Sequence, residues 1–183
     1  MLAFIRKPLK LLKRFSTDRK AAAAVEFAMI AAPLIFMICA CIEVGLIFLV
    51  SVTLDNATDM AAREVRTGLV TNSNTSVAQF EQLICKNMGW LSSSCTTSLT
   101  VDIRTYSSFP LAAADAAVSP VVSGAFSSSN PTQYVMGGGS QIQMVRVFYD
   151  WPLFTPLLNL GLSTMSNGDA LLTYEAVFRN EPF

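Results

Sequence analysis

The chain has 183 residues, 52% of them hydrophobic, with 13 basic and 13 acidic side chains and no histidine. That length suits one domain plus an additional segment. The missing histidine removes the commonest general base and a major metal ligand. Zero formal net charge hides an asymmetry. Arg6, Lys7, Lys10, Lys13, Arg14, Arg19 and Lys20 face Asp18 alone at the start of the chain, whereas acids outnumber bases from Asp55 onward.

Residues 1–20 interleave these bases with Leu2, Phe4, Ile5, Leu9, Leu11, Leu12 and Phe15. The pattern fits a basic amphipathic piece on anionic lipid, and equally a flank that sets membrane topology. Phe27 to Val50 then supplies an apolar run of membrane-spanning length, for which roughly 20 residues suffice. Glu43 is its only charge, and Glu26 stands at its start. An ionisable group at membrane depth costs about 2.5–3.5 kcal/mol on insertion scales, so these carboxylates are expected to have partners. A cleaved secretory signal would have a core of roughly 7–15 residues and an A-x-A-like site. This run is longer and passes directly into an amphipathic pattern. Lys and Arg beside a span mark the cytoplasmic side, which puts the N-terminus inside and the residues beyond about 50 in an exported compartment.

One nearly continuous helix is predicted from Ala21 to about Thr67, bent at Pro33 and roughly 70 Å long at 1.5 Å per residue. Past Val50, the residues Leu54, Ala57, Ala61, Ala62 and Val65 form one face, with Asp55, Asp59, Arg63 and Arg66 on the other side. Gly68 suits the C-terminal cap. Ser76 and Gln79 have the spacing of a capping box before a short helix at about 77–88. Period-two alternation predicts strands at 98–106, 141–151 and 170–179. The Ala-, Ser- and Pro-rich stretch 107–140 reads as an exposed loop with Gly137 to Gly139 as a hinge. The apolar but proline-broken segment 151–162 reads as an irregular lid on the sheet or a docking surface. The fold class is α+β: a single N-terminal membrane helix continuing as an amphipathic stalk, with a small antiparallel sheet head and one short extra helix. The divisions are a leader at 1–20, anchor and stalk at 21–68, and an exported head at 69–183.

Cys39 and Cys41 lie within the apolar run and read as small buried hydrophobes. Cys85 and Cys95 fall in the exported part, where a disulfide can persist, and are expected to be bridged. No catalytic constellation is found, because no base is placed to activate a serine. Asp102, Asp115, Asp150 and Asp169 are scattered singly, so no metal site or other cofactor is expected. The only basic cluster is the membrane flank, which gives no nucleic-acid surface. Glu26 has two readings. It pairs with a free amine if the chain is cut before Ala22, or it rests at the interface near Arg19 and Lys20.

The stretch RKAAAAVEFAMIAAPLIFMICACIEVGLIFLV (19–50), followed by LDNATDMAAREVRTG (54–68), resembles the TadE-like family, minor pilins (pseudopilins) of tight-adherence pilus systems. The resemblance covers about residues 18–68, and the closing FRNEPF is similar to the end of many such chains. It implies a single-pass inner-membrane protein, with a periplasmic or extracellular C-terminal domain, that takes part in assembling a type IVb pilus. It implies processing by a prepilin peptidase between Ala21 and Ala22. Implied partners are other pilin or pseudopilin subunits and pilus assembly proteins. Glu26 matches the motif's glutamate, and Glu43 with Gly45 matches its inner Glu-x-Gly, which implies an intramembrane packing face. Ala21 stands where the family pattern has Gly, which leaves open an uncleaved bitopic scaffold of an envelope or secretion apparatus.

Overall fold

The computed structural model describes residues 19–119, 121–127, 131–155 and 159–183. The predicted basic leader lies almost wholly outside the described residues, as do residues 156–158 of the predicted lid. Helix α1, Arg19–Arg66, runs through Pro33 and crosses two compact units, residues 1–42 and 43–183. In the first unit Phe27, Met29, Ile30, Leu34 and Ile38 are all more than half exposed. A helix apolar on every side needs an apolar surrounding. Among the described residues, α1 is the one helix long and apolar enough to cross a membrane.

Within the second unit α1 acquires a buried stripe. Glu43, Val50, Leu54, Ala57, Ala61 and Val65 are all at most 1% exposed, and the half-buried Ile47 completes a three-and-four spacing that keeps one helix face on the core. The helix ends in a Schellman cap. Gly68 N–H donates to Val65 C=O (3.1 Å) and Leu69 N–H to Glu64 C=O (3.0 Å), with Gly68 at φ +76°, a conformation glycine adopts without penalty. Helix α2, Val77–Asn87, starts with the Ser76/Gln79 capping box. A 3₁₀ turn, Gly89–Leu91, and the single-turn α3, Ser92–Cys95, follow.

The chain then forms β1, Leu99–Tyr106; α4, Phe109–Ala116; a minute hairpin of β2, Val121–Val122, and β3, Ala125–Phe126; β4, Ile142–Trp151; α5, Asn159–Leu162; and β5, Ala170–Arg179. The main sheet is antiparallel in the order β1-β4-β5. Leu99, Val101, Ile103, Val145, Val147, Tyr149 and Leu172 pack with the α1 stripe and with Phe80 and Ile84 of α2 in one core. Successive strand residues face opposite ways, so Asp102, Arg146 and Phe148 lie on the other face. There Phe126 of the hairpin stacks edge-on against Phe148, with ring centroids 5.4 Å apart.

The stretch 107–140 therefore departs from the predicted exposed loop. It holds α4, the hairpin, and a segment that runs beside β1: Ile103 N–H donates to Gln133 C=O (2.7 Å) and Val135 N–H to Ile103 C=O (2.9 Å). That segment satisfies backbone groups on the outer edge of β1. Helix α4 buries only Ala112, so alanine composition shows no apolar period to read. Gly137 and Gly139 are points of close approach. A Cβ on Gly139 would stand 2.8 Å from the Phe183 nitrogen, and one on Gly137 2.6 Å from Gln141 Oε1.

The closing residues Phe178 to Phe183 tie these parts together. Asn180, 3% exposed, donates from Nδ2 to the carbonyls of Gly137 (3.0 Å) and Gly138 (3.1 Å). Glu181 N–H donates to Arg66 C=O (2.9 Å) at the end of α1, and the Phe183 ring lies against Gly68.

Candidate functional site

Glu43 is the first buried residue of the α1 stripe and the residue next to Ile42 in the chain. Its side chain is fully enclosed. A buried carboxylate needs hydrogen-bond donors to offset its desolvation, and the segment after β4 supplies two. Phe154 N–H donates to Oε1 at 2.7 Å and Thr155 N–H to Oε2 at 2.9 Å. Both are charge-assisted bonds, the stronger kind. Pro152 in the same segment has no N–H to satisfy, and Thr155 is buried while Phe154 projects outward. Glu43 thereby fixes α1 against the far end of β4 within the head.

The other predicted site residues lie apart from it. Ala21 lies within α1; Ala22 and Glu26 are exposed on it. Gly45 is exposed, and a Cβ there would meet nothing within 4 Å. Cys39 and Cys41 are free and lie exposed on the apolar run of α1. Cys85 and Cys95 form a disulfide that joins α2 to α3, and both are buried in the core.

A second constellation was not legible in the sequence. Asp102 and Asp115, read as isolated acids, converge with Arg104, Arg146 and Tyr106 on the sheet face away from α1. Arg146 and Asp102, each 1% exposed at the side chain, face each other across β1 and β4. Arg146 donates to Asp102 Oδ2 from Nη2 (2.6 Å) and Nε (3.0 Å). It also donates to the Asp115 carbonyl (3.1 Å) and carboxylate (3.3 Å). Arg104 donates to Asp102 Oδ1 (2.9 Å) and Asp115 Oδ2 (3.3 Å), and Tyr106 donates to the same Asp115 carboxylate. Burial, then the bond to Asp115, pushes the Tyr106 hydroxyl well above its usual pKa. Two arginines balance two aspartates, so this network holds α4 on the sheet with little net charge left for a ligand. The available signals were Arg146 as a charge in the middle of the apolar run Met144 to Tyr149, and the same-face pair Asp102 and Arg104. Among the described residues no group of three or more metal-ligating side chains is assembled.

The helix α1 is long and apolar enough to cross a membrane once, which accords with a single-pass membrane protein. Residues 21–63 match the family model for TadE-like protein, so the chain carries a TadE-like segment, and it coincides with the anchor and most of the α1 core stripe. No curated protein and no solved structure matches the chain.

Proposed function

We propose that the chain is a minor pilin-like (pseudopilin) subunit that takes part in assembling a tight-adherence type IVb pilus, acting structurally through helix packing. The observation that carries this reading is the TadE-like match over residues 21–63, on a helix whose first unit exposes apolar side chains on all sides. Such a surface packs against lipid in the membrane and against other helices in an assembly. In this reading Glu26 and Gly45, both exposed, meet neighbouring subunits. Glu26 offers a carboxylate for an amine at Ala22 after cleavage, and Gly45 allows close backbone approach. Glu43 sets the register of helix and head, since its oxygens are already bonded within the chain. The exported head selects which subunits and assembly proteins fit.

A second reading, an uncleaved bitopic scaffold, is favoured by Ala21 in place of glycine at the processing position. Intact mass measurement of the protein from its native membrane separates the two. A chain beginning at Ala22 supports the pilin reading; full-length protein alone overturns processing and leaves the scaffold. Glu26→Gln tests the pairing, because pilus assembly undiminished in that variant would show that the charge has no part in it.

A further inference from the structure

The exposed apolar surface of α1 does not stop where the head begins. Val44, Phe48 and Val52 recur at four-residue intervals on one face and are 37%, 68% and 56% exposed. The face behind them carries Glu43, Val50 and Leu54 into the core. The segment bonded to Glu43 presents one more such group, Phe154, 57% exposed. Its own N–H and that of Thr155 are bonded to the Glu43 carboxylate, and Pro152 has none. With two amides held by the carboxylate and a third absent at Pro152, this segment pays less to enter a region poor in water, where an unpaired N–H would be costly.

We infer that Val44, Phe48, Val52 and Phe154 form a foot of the head that is immersed in the headgroup–acyl boundary of the bilayer, and that the latch on Glu43 holds Phe154 in it. The inference rests on the single-pass membrane reading. The apolar run begins at Phe27, and Phe27 to Ile47 at 1.5 Å per residue spans about 30 Å, the thickness of a bilayer core. Glu43 then falls one helical turn inside the far edge of that core with its charge turned into the protein. Val44, Phe48 and Val52 straddle that edge, and the first charge beyond Glu43 is Asp55. The occupant is lipid because Val44, Phe48 and Val52 follow the span directly in the sequence, with no charge from Phe27 to Val52 other than the enclosed Glu43. Aromatic rings are favoured at this depth.

Depth-dependent quenching tests this on the full-length chain with Cys39 and Cys41 replaced by alanine and the Cys85–Cys95 disulfide left oxidised. Phe154→Cys, or Leu69→Cys as the control beyond the end of α1, is labelled with an environment-sensitive fluorophore. The protein is reconstituted in vesicles of phosphatidylethanolamine and phosphatidylglycerol. Lipids spin-labelled near the top of the acyl chain are expected to quench the label at 154 about twofold more than the label at 69, as an interfacial group requires. Vesicle flotation is measured in parallel. A protein that floats but whose label at 154 is quenched no more than that at 69 overturns the foot and leaves the anchor. One that is quenched equally little and also shielded from aqueous iodide at 154 points to a second copy covering the face, and likewise overturns it. Failure to float overturns the anchor reading and the foot together.

Discussion

Glu43 and Phe154 are 111 residues apart in the chain and 2.7 Å apart at the carboxylate and the main-chain amide. With the second bond, to Thr155, the one acid inside the apolar run becomes a core residue of the head. Its enclosure removes it from contact with solvent, and its two donors come from a segment where the β4 strand has ended, so no sheet ladder competes for those amides.

Glu43→Gln keeps the shape of the side chain but turns one acceptor into a donor facing another donor. A hydrogen bond to a charged group is worth about 1.5–3 kcal/mol, so the variant is expected to lose about 2 kcal/mol. Thermal unfolding in detergent should show the head melting roughly 5–10 °C lower. A melting temperature within a degree of the parent would mean the latch contributes nothing.

Removing one partner of the buried pair on the other sheet face should be worse than removing an exposed charge. Asp102→Asn leaves Arg146 enclosed and short of a counter-charge, for an expected loss of about 3–5 kcal/mol. Arg66→Gln breaks a pair with Glu181 that is about half exposed on both sides, and should change stability by less than about 1 kcal/mol. Urea unfolding of the two variants side by side checks the contrast.

The glycine run discriminates between a hinge and a contact. A Cβ on Gly138 meets nothing within 4 Å, whereas one on Gly139 would meet the Phe183 backbone at 2.8 Å. Gly139→Ala is expected to destabilise by about 1–3 kcal/mol through forced movement of the closing segment at Glu181 and Phe183, and Gly138→Ala by under about 0.5 kcal/mol. Equal denaturation midpoints for the two would favour a mobile hinge.

Alkali should weaken the head before it breaks covalent structure. Burial, reinforced by Glu81, pushes the Tyr134 hydroxyl up to about 12 from 10.0. Tyr106 and Tyr174 are also raised, each by burial first and then by a bond to an aspartate. A raised pKa means that the native state keeps its proton where the unfolded chain has lost it. The stabilisation is complete below about pH 10 and fades as pH rises toward 12, by at most about 1.4 kcal/mol per pH unit for each tyrosine. Urea midpoints measured from pH 8 upward should stay flat to about pH 10 and then fall, and Tyr134→Phe should make the fall shallower.

Reduction of the Cys85–Cys95 disulfide opens a loop with a sequence separation of 10. The chain-entropy relation assigns such a loop about 2.5–3 kcal/mol. Dithiothreitol should lower the denaturation midpoint by that amount without abolishing folding, because Phe80, Ile84 and Leu91 remain in the core around it.

Much of this architecture was legible in residue order. The three strands were bounded to within one residue, because alternation such as Leu99, Val101 and Ile103 against Thr100, Asp102 and Arg104 is a local signal. The α1 stripe from Leu54 to Val65 and the caps at Ser76 and Gly68 were likewise read from spacings of a few residues. What failed was either too short or too distant. Helix α4 has one buried residue, Ala112, and no period to detect. Asp102, Asp115 and Arg146 come together only because β4 returns antiparallel beside β1 and α4 folds over both, which separations of 44 and 31 residues do not announce.

Sequence alone determined that the chain has a membrane-length helix with a basic start, a TadE-like segment and a head of alternating strands, because hydropathy and periodicity are properties of neighbours. It also posed the question of Glu43, a charge that needed a partner. Only the tertiary structure decided the answer. The carboxylate meets the amides of Phe154 and Thr155, the helix stripe continues into the core of the head, and the apolar face opposite stays exposed as far as Val52. Those are outcomes of chain closure over more than a hundred residues, where hydrogen-bond satisfaction and packing act between segments that carry no mark of each other in sequence.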